Sequence, residues 1–307
     1  MGQARRIACI GEAMVELSLD AAGETARIGY AGDTLNTAVY MARECPGAHE
    51  IAFVSRVGTD RFSDDMLAFI DSEGVSTAAV ARDDACLPGL YAISTDAGGE
   101  RSFSYWRENS AARKLFQTAG GHDFSVLDGF DVVYLSAITL AILPPAVRGG
   151  LLDWVSDFRE RGGLFAFDSN YRPKLWESVD AARQAVSRAW RNCDIALPSV
   201  DDEMALFGDR DAQSALARLE AYGIGIGALK RGADGPVPIN GAVDPAPRFE
   251  PAEKVVDTTA AGDSFNGAFL AVYLAGKSLG EAMLAGHDRA ARVIGMRGAI
   301  VPKQASA

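Results

Sequence analysis

The chain has 307 residues, a length that suits one large α/β domain with an insertion, or about two domains. Hydrophobic residues at 48% and charged residues at 23% mark a folded globular chain and exclude disordered and collagen-like classes. The 30 basic and 41 acidic side chains leave a net charge of −11, which argues against nucleic acid or an anionic membrane as partner.

The first residues, MGQARRIACIGEAMVEL, carry no long apolar segment or small-residue cleavage site, so no signal peptide is expected. No apolar run reaches the roughly 18 residues that a membrane span needs. Short β-branched or aromatic runs at 7–10, 51–57, 132–135, 164–167, 195–197 and 225–229 predict strands. Between them, residues 60–73 place Phe62, Met66, Leu67 and Ile70 on a helical stripe that stops at Gly74. Residues 144–161 do the same with Val147, Leu151, Leu152, Val155 and Phe158, stopping at Gly162. Strands alternating with helices predict a mostly parallel sheet covered on both faces.

Two stretches break this rhythm, at 16–32 and 80–116. In the second, Phe103, Tyr105 and Arg107 alternate with Ser102, Ser104 and Trp106, as in a strand. These segments predict a small β-sheet lid, 16–32 and 81–116, on a discontinuous main domain of 1–15, 33–80 and 117–307. Pro236 and Pro238 each remove a ladder donor, which places the strand there at an edge or in a bent hairpin. Cys9, Cys45, Cys86 and Cys193 form no C-x-x-C, and His49, His122 and His287 form no H-x-x-x-H. That spacing argues against a zinc site and for a reducing, cytoplasmic setting.

The sharpest motif is DTTAAGD at 257–263, which runs directly into the small, apolar SFNGAFLAVYLAG. Small residues entering a helix let backbone N–H groups converge on one point, where the helix dipole adds partial positive charge. Such an anion hole suits a transferring phosphoryl group, and Asp263 in the first turn could take the proton of an attacking hydroxyl. Asp also caps core helices, which is the plainer reading of an isolated Gly-Asp. Other motifs fail. Gly276-Lys277-Ser278 has Ala271 where a P-loop needs glycine, and no G-x-S-x-G elbow occurs.

The DTTAAGD string resembles the signature of the ribokinase-like carbohydrate kinases, the PfkB family. AGDTLNTA at 31–38, DSNYRP at 168–173 and KRGADG at 230–235 match further elements of that family in chain order. The resemblance covers essentially the whole chain. With LPGLYAI and GERSFSYWR added, it is most similar to the branch acting on a sugar acid, 2-dehydro-3-deoxygluconate. The resemblance implies a three-layer α/β/α fold with a β lid, and in-line transfer of the ATP γ-phosphoryl group to the 6-hydroxyl. Asp263 would be the base, with the N–H groups of Ala260, Ala261, Gly262 and Asp263 as the anion hole. Gly32, Asp33 and Asn36 would bind substrate hydroxyls, while Tyr91, Tyr105, Arg107 and Arg172 approach the substrate. Asn170, Lys230, Gly232, Asp234 and Gly235 would contact the nucleotide, together with Ala260 and Gly262.

A carboxylate substrate gives the arginines an independent physical reason, since a guanidinium grips carboxylate bidentately. Taken alone, Arg107 reads as a solvated surface residue and Tyr91 as core packing of the small sheet. The family's N-x-x-E element, which organises Mg²⁺ through water, falls here on Ser199 and Asp202, with Glu203 adjacent. Either carboxylate fits. Ala260 stands where many relatives carry glycine. Local cations (Arg107, Arg172, Lys230, the helix start at 261–263 and Mg²⁺) are expected to attract two anionic substrates to an acidic protein. Homo-oligomerisation through the lid and a place at the entry of an Entner–Doudoroff-type route complete the expectation. The alternatives are a kinase of the same family for a neutral sugar such as fructose or ribose, and a catalytically silent sugar or nucleotide sensor.

Overall fold

The computed structural model describes residues 4–20, 23–95, 101–241, 243 and 246–303. In chain order its elements are β1 (Arg6–Ile10), β2 (Met14–Leu19), β3 (Ala26–Ala31), α1 (Asp33–Glu44), β4 (Glu50–Val57), α2 (Arg61–Ser72) and β5 (Val80–Arg82). There follow β6 (Gly89–Thr95), β7 (Arg101–Trp106), the short pair β8 (Gln117–Thr118) and β9 (Gly121–His122), β10 (Val132–Ser136), α3 (Ala137–Ile142) and α4 (Pro145–Glu160). The rest are β11 (Leu164–Asp168), α5 (Val179–Arg191), β12 (Ile195–Ala196), α6 (Val200–Phe207), α7 (Ala212–Ala221), β13 (Ile226–Leu229), β14 (Val237–Ile239), α8 (Ala261–Leu274) and α9 (Leu279–Ile294).

Eight strands form the large sheet in the order β14-β13-β12-β11-β10-β1-β4-β5. All its pairings are parallel except β13 with β14. Alternation along β1 shows why both faces need helices. Ala8 and Ile10 join Phe165, Phe167 and Trp190 on one side, while Ile7 and Cys9 join Phe53, Leu35 and Phe269 on the other. The first core is closed by helices such as α4 and α5, the second by α1, α2, α8 and α9. Pro238 pairs with Ala228 on the outermost strand, where its missing donor costs no ladder bond to a further neighbour.

The two helices expected from periodicity form within a residue of their limits. Asp60 caps α2 by accepting from the Phe62 and Ser63 amides, and Gly74 ends it at φ 81°. Met66 and Ile70 are fully buried, whereas Phe62, expected on the same stripe, is 45% exposed. Position 62 lies in the first turn, beyond the edge of the face that packs.

A second sheet runs β3-β2-β6-β7. Its strands begin two residues earlier than the expected 16–32, because Met14 and Val15 already pair with Ala31 and Tyr30. Ala81 and Arg82, expected in the lid, pair with Arg56 and Val57 and extend the large sheet instead. One face of the small sheet is polar and aromatic, with Tyr91, Phe103 and Tyr105 as neighbours at 5.8–6.4 Å. Met14, Ala31, Tyr91 and Ile93 on that face pack with Ala299 and Ala260, so the small sheet is seated over the start of α8.

Candidate active site

The site forms at the carboxyl ends of the parallel strands, where open α/β sheets leave a crevice for ligands. Asp168 ends β11 and Ser136 ends β10, while Lys230 follows β13 and Ser199 follows β12. Two helices bring their first turns to the same place: Asp33 opens α1 and Asp263 lies in the first turn of α8. The close packing of α1 on α8 requires glycine at 267, since a Cβ there would lie 2.6 Å from the Thr37 carbonyl oxygen. Gly32 is needed for a similar reason, because its Cβ would sit 2.0 Å from the Glu12 carbonyl oxygen.

Asp263 accepts a hydrogen bond from the Asn36 amide at 2.9 Å, and Thr37 Oγ1 donates to its backbone carbonyl at 3.2 Å. Burial pushes the Asp263 carboxyl up to about 7, helped by the negative charges of Asp33 and Asp168 and opposed by the Asn36 bond and Lys230. That value suits a general base working near neutrality. If Asp263 is the base, log kcat/KM should fall with unit slope below about pH 7, because only the carboxylate can take a proton. A flat profile between pH 5.5 and 8 would remove it from that role.

Ala260 adopts the left-handed conformation at φ 59° and turns the chain into α8. The Ala261 amide donates to the Thr258 carbonyl at 3.2 Å in that turn, and the Ser264 amide donates to Ala260. Of the four amides expected to form the anion hole, that of Ala261 is thus already hydrogen-bonded within the turn. A non-glycine residue at positive φ is strained by about 1–2 kcal/mol. Ala260→Gly should thus raise stability by about 0.5–1 kcal/mol after the entropy cost of glycine is subtracted. Urea titration measures it, and a loss of stability would show that the Ala260 methyl matters more as packing against Ala299.

Lys230 does not join the KRGADG turn with its side chain. Its Nζ lies 3.0 Å from Asp168 Oδ2 and 3.0 Å from Asn266 Oδ1, and the Asn266 amide donates to Asp168 at 2.7 Å and to Tyr134 at 3.0 Å. A Cβ on Gly262 would stand 3.4 Å from the same Nζ, so the ammonium borders the anion hole. Gly232 and Gly235, by contrast, take positive φ in the turn itself, which carries Asp234 between them.

Asn170, expected on the nucleotide, has its amide bonded at 2.9 Å to Oδ2 of Asp33, a residue expected on the substrate. Ser136 Oγ donates to the same oxygen. Burial raises the Asp33 carboxyl, while the Ser136 and Thr34 hydrogen bonds and the Arg107 charge lower it. Arg107 follows β7 and is only 9% exposed, so it is no solvated surface residue. It is paired with Glu12. Tyr91 is buried and donates to Glu16, while Tyr105 remains half exposed.

Arg172 donates to the Tyr171 carbonyl at 2.8 Å and to Asp202 at 3.2 Å. Of the two metal candidates, Glu203 is excluded by geometry: it is 0% exposed and paired with Arg218 at 2.6 Å. Burial lifts its carboxyl to about 7 against the pull of Arg218. Asp202 faces the site instead, accepting from Ser199 Oγ at 2.7 Å and from Arg172, with its carboxyl raised by burial. Sequence reading missed Glu12, Glu16, Ser136, Tyr134 and Asn266. It quoted Asp168 within a motif without giving it a part.

The chain matches the pfkB family carbohydrate kinases over residues 4–305. It belongs to that family. It is 46% identical to the 2-dehydro-3-deoxygluconokinase of Dickeya dadantii (strain 3937) over 98% of each chain. It is 43% identical to the Escherichia coli (strain K12) protein of the same name, again over 98% of each. Among solved structures, the Vibrio cholerae O395 fructokinase bound to fructose, ADP and calcium superposes with a TM-score of 0.82 at 22% identity, covering 97% of this chain and 95% of that one. The ribokinase-like architecture, with its large mostly parallel sheet and small second sheet, is thereby the fold of this family member too. No helix among the described residues is long and apolar enough to cross a membrane.

Proposed function

We propose that this pfkB family member transfers the γ-phosphoryl group of ATP to the 6-hydroxyl of 2-dehydro-3-deoxy-D-gluconate, giving the 6-phosphate. The observation that carries the chemistry is Asp263, a partly buried carboxyl at the first turn of α8, raised to about 7 and aimed by Asn36. The substrate follows from the relatives of that name, similar over nearly the full chain. Asp263 takes the proton as the hydroxyl attacks, and the amides around Gly262 with the Lys230 ammonium receive the charge that develops on the phosphoryl oxygens. Little covalent work falls to the protein; holding the two reactants in line supplies much of the acceleration.

Tyr105 and Arg107 line the substrate side with Gly32, Asp33 and Asn36, and Arg107 grips the carboxylate. Arg172, paired with Asp202, approaches the substrate from the large sheet. Mg²⁺ bound with ATP supplies charge neutralisation of the phosphates. Asp202 fits it through water, since each of its oxygens accepts only one protein hydrogen bond and keeps a lone pair. We assign the protein to the cytoplasm on its cysteine spacing and its use of ATP, feeding an Entner–Doudoroff-type route. We also assign it a homo-oligomer through the small sheet, whose outer face exposes Ile28 and Trp106; a monomer by sedimentation velocity would remove that part.

A coupled ADP-release assay with the keto-acid, fructose and ribose tests the substrate. Turnover should be fastest with the keto-acid, and faster turnover of fructose would overturn the assignment. The neutral-sugar reading draws support from one observation, the pairing of Arg107 with Glu12, which leaves that arginine already balanced.

A further inference from the structure

Glu12 lies just past β1 and has no part in the chemistry described above. It is 1% exposed, and its Oε2 accepts from Arg107 Nη2. Its Oε1 and the Arg107 Nε are both buried, and neither has a hydrogen-bond partner among the described residues. The fork is therefore half made, where a bidentate arginine–carboxylate pair makes two bonds.

Two glycines make room for the pair. A Cβ on Gly89 would stand 2.7 Å from Glu12 Oε1 and 3.2 Å from the Arg107 Cβ. A Cβ on Gly32 would stand 2.0 Å from the Glu12 carbonyl oxygen. Those glycines belong to the LPGLY and GDTLN segments, so two motifs far apart in sequence meet at Glu12, one at its carboxylate and the other at its backbone carbonyl. Arg107 lies close enough to the substrate side for its charge to act on Asp33. An arginine free to move would lose rotamer entropy on gripping a ligand, whereas one already held loses less.

Resting on the reading of Arg107 as the carboxylate grip, we propose that Glu12 is a positioning residue that holds the Arg107 guanidinium ready for the substrate. Glu12 then contributes to binding of the sugar acid and not to phosphoryl transfer. The test is steady-state kinetics of Glu12→Gln, Arg107→Ala and the double variant, with the keto-acid and ATP each varied.

Glu12→Gln should raise KM for the keto-acid about tenfold, because the amide keeps an acceptor but removes the negative charge that holds the guanidinium. Its kcat should stay within about twofold and its KM for ATP should not change. Arg107→Ala should raise the keto-acid KM about 100-fold, and adding Glu12→Gln to it should change nothing more. A folded Glu12→Gln protein with unchanged keto-acid KM, while Arg107→Ala is impaired, overturns the proposal alone. A double variant worse than Arg107→Ala also overturns it, since Glu12 would then act independently. An unimpaired Arg107→Ala protein overturns the grip itself. Should Glu12→Gln not fold, Gly89→Ala displaces Oε1 and must show the same rise confined to the keto-acid KM.

Discussion

Replacing Asp263 by asparagine is expected to lower kcat by about 10³-fold, the usual worth of a positioned general base. KM for ATP and for the keto-acid should move only a few-fold. Asparagine has the same shape, and its carbonyl oxygen can still accept from Asn36, so the start of α8 keeps its geometry. The missing function is the acceptance of a proton. Stability gives an independent check. The folded carboxyl titrates at about 7, above its unfolded value, so the parent loses stability as the pH climbs from about 4 through 7 and the buried charge forms. The asparagine variant lacks that loss and should be no less stable than the parent at pH 8. Unchanged turnover would show that another group takes the proton.

Lys230→Met should have the second largest effect. The Asp168 carboxylate is 3% exposed, and its Oδ2 is bonded to the Lys230 ammonium and the Asn266 amide. Removing one partner of a buried pair leaves a charge without its counterion, at a cost of about 3 kcal/mol. Urea titration should show that loss. Lys230 also lowers the Asp263 carboxyl, so its removal should shift the rising limb of the pH–rate profile to higher pH. Loss of stability without that shift would make Lys230 a structural residue only.

The three cations expected to attract the substrates each have a carboxylate partner in the structure. Arg107 is paired with Glu12, Arg172 with Asp202, and Lys230 with Asp168. For Arg107 and Lys230, which are buried or nearly so, the partner avoids burying a charge alone, whereas Arg172 is exposed. Of the remaining carboxyls, Asp33 is raised by burial, and Asp263 is raised to about 7, so Asp263 carries only part of its charge near neutrality.

The central strands of the large sheet, the stop at Gly74 and the entry into α8 were legible because each is written in neighbouring residues. The partners of the site cations were not. Glu12 and Arg107 are 95 positions apart, and Lys230 and Asp168 are 62 apart, so only the closed fold brings them together. Asp202 and Glu203 illustrate a second limit. They adjoin in sequence, yet successive positions on a helix point about 100° apart, which turns one to the site and the other inward to Arg218. Ala261 shows a third. Composition marks the segment as an anion hole, but only the backbone turn at Ala260 decides which amides remain unused.

The most direct test of the account is phosphorus–proton correlation NMR of the product made from ATP and 2-dehydro-3-deoxy-D-gluconate. The account predicts a phosphomonoester coupled to the C6 methylene protons, formed by the parent and not by Asp263→Asn at equal times. A phosphate on any other oxygen, or no ester from a folded parent that turns over fructose, would contradict it.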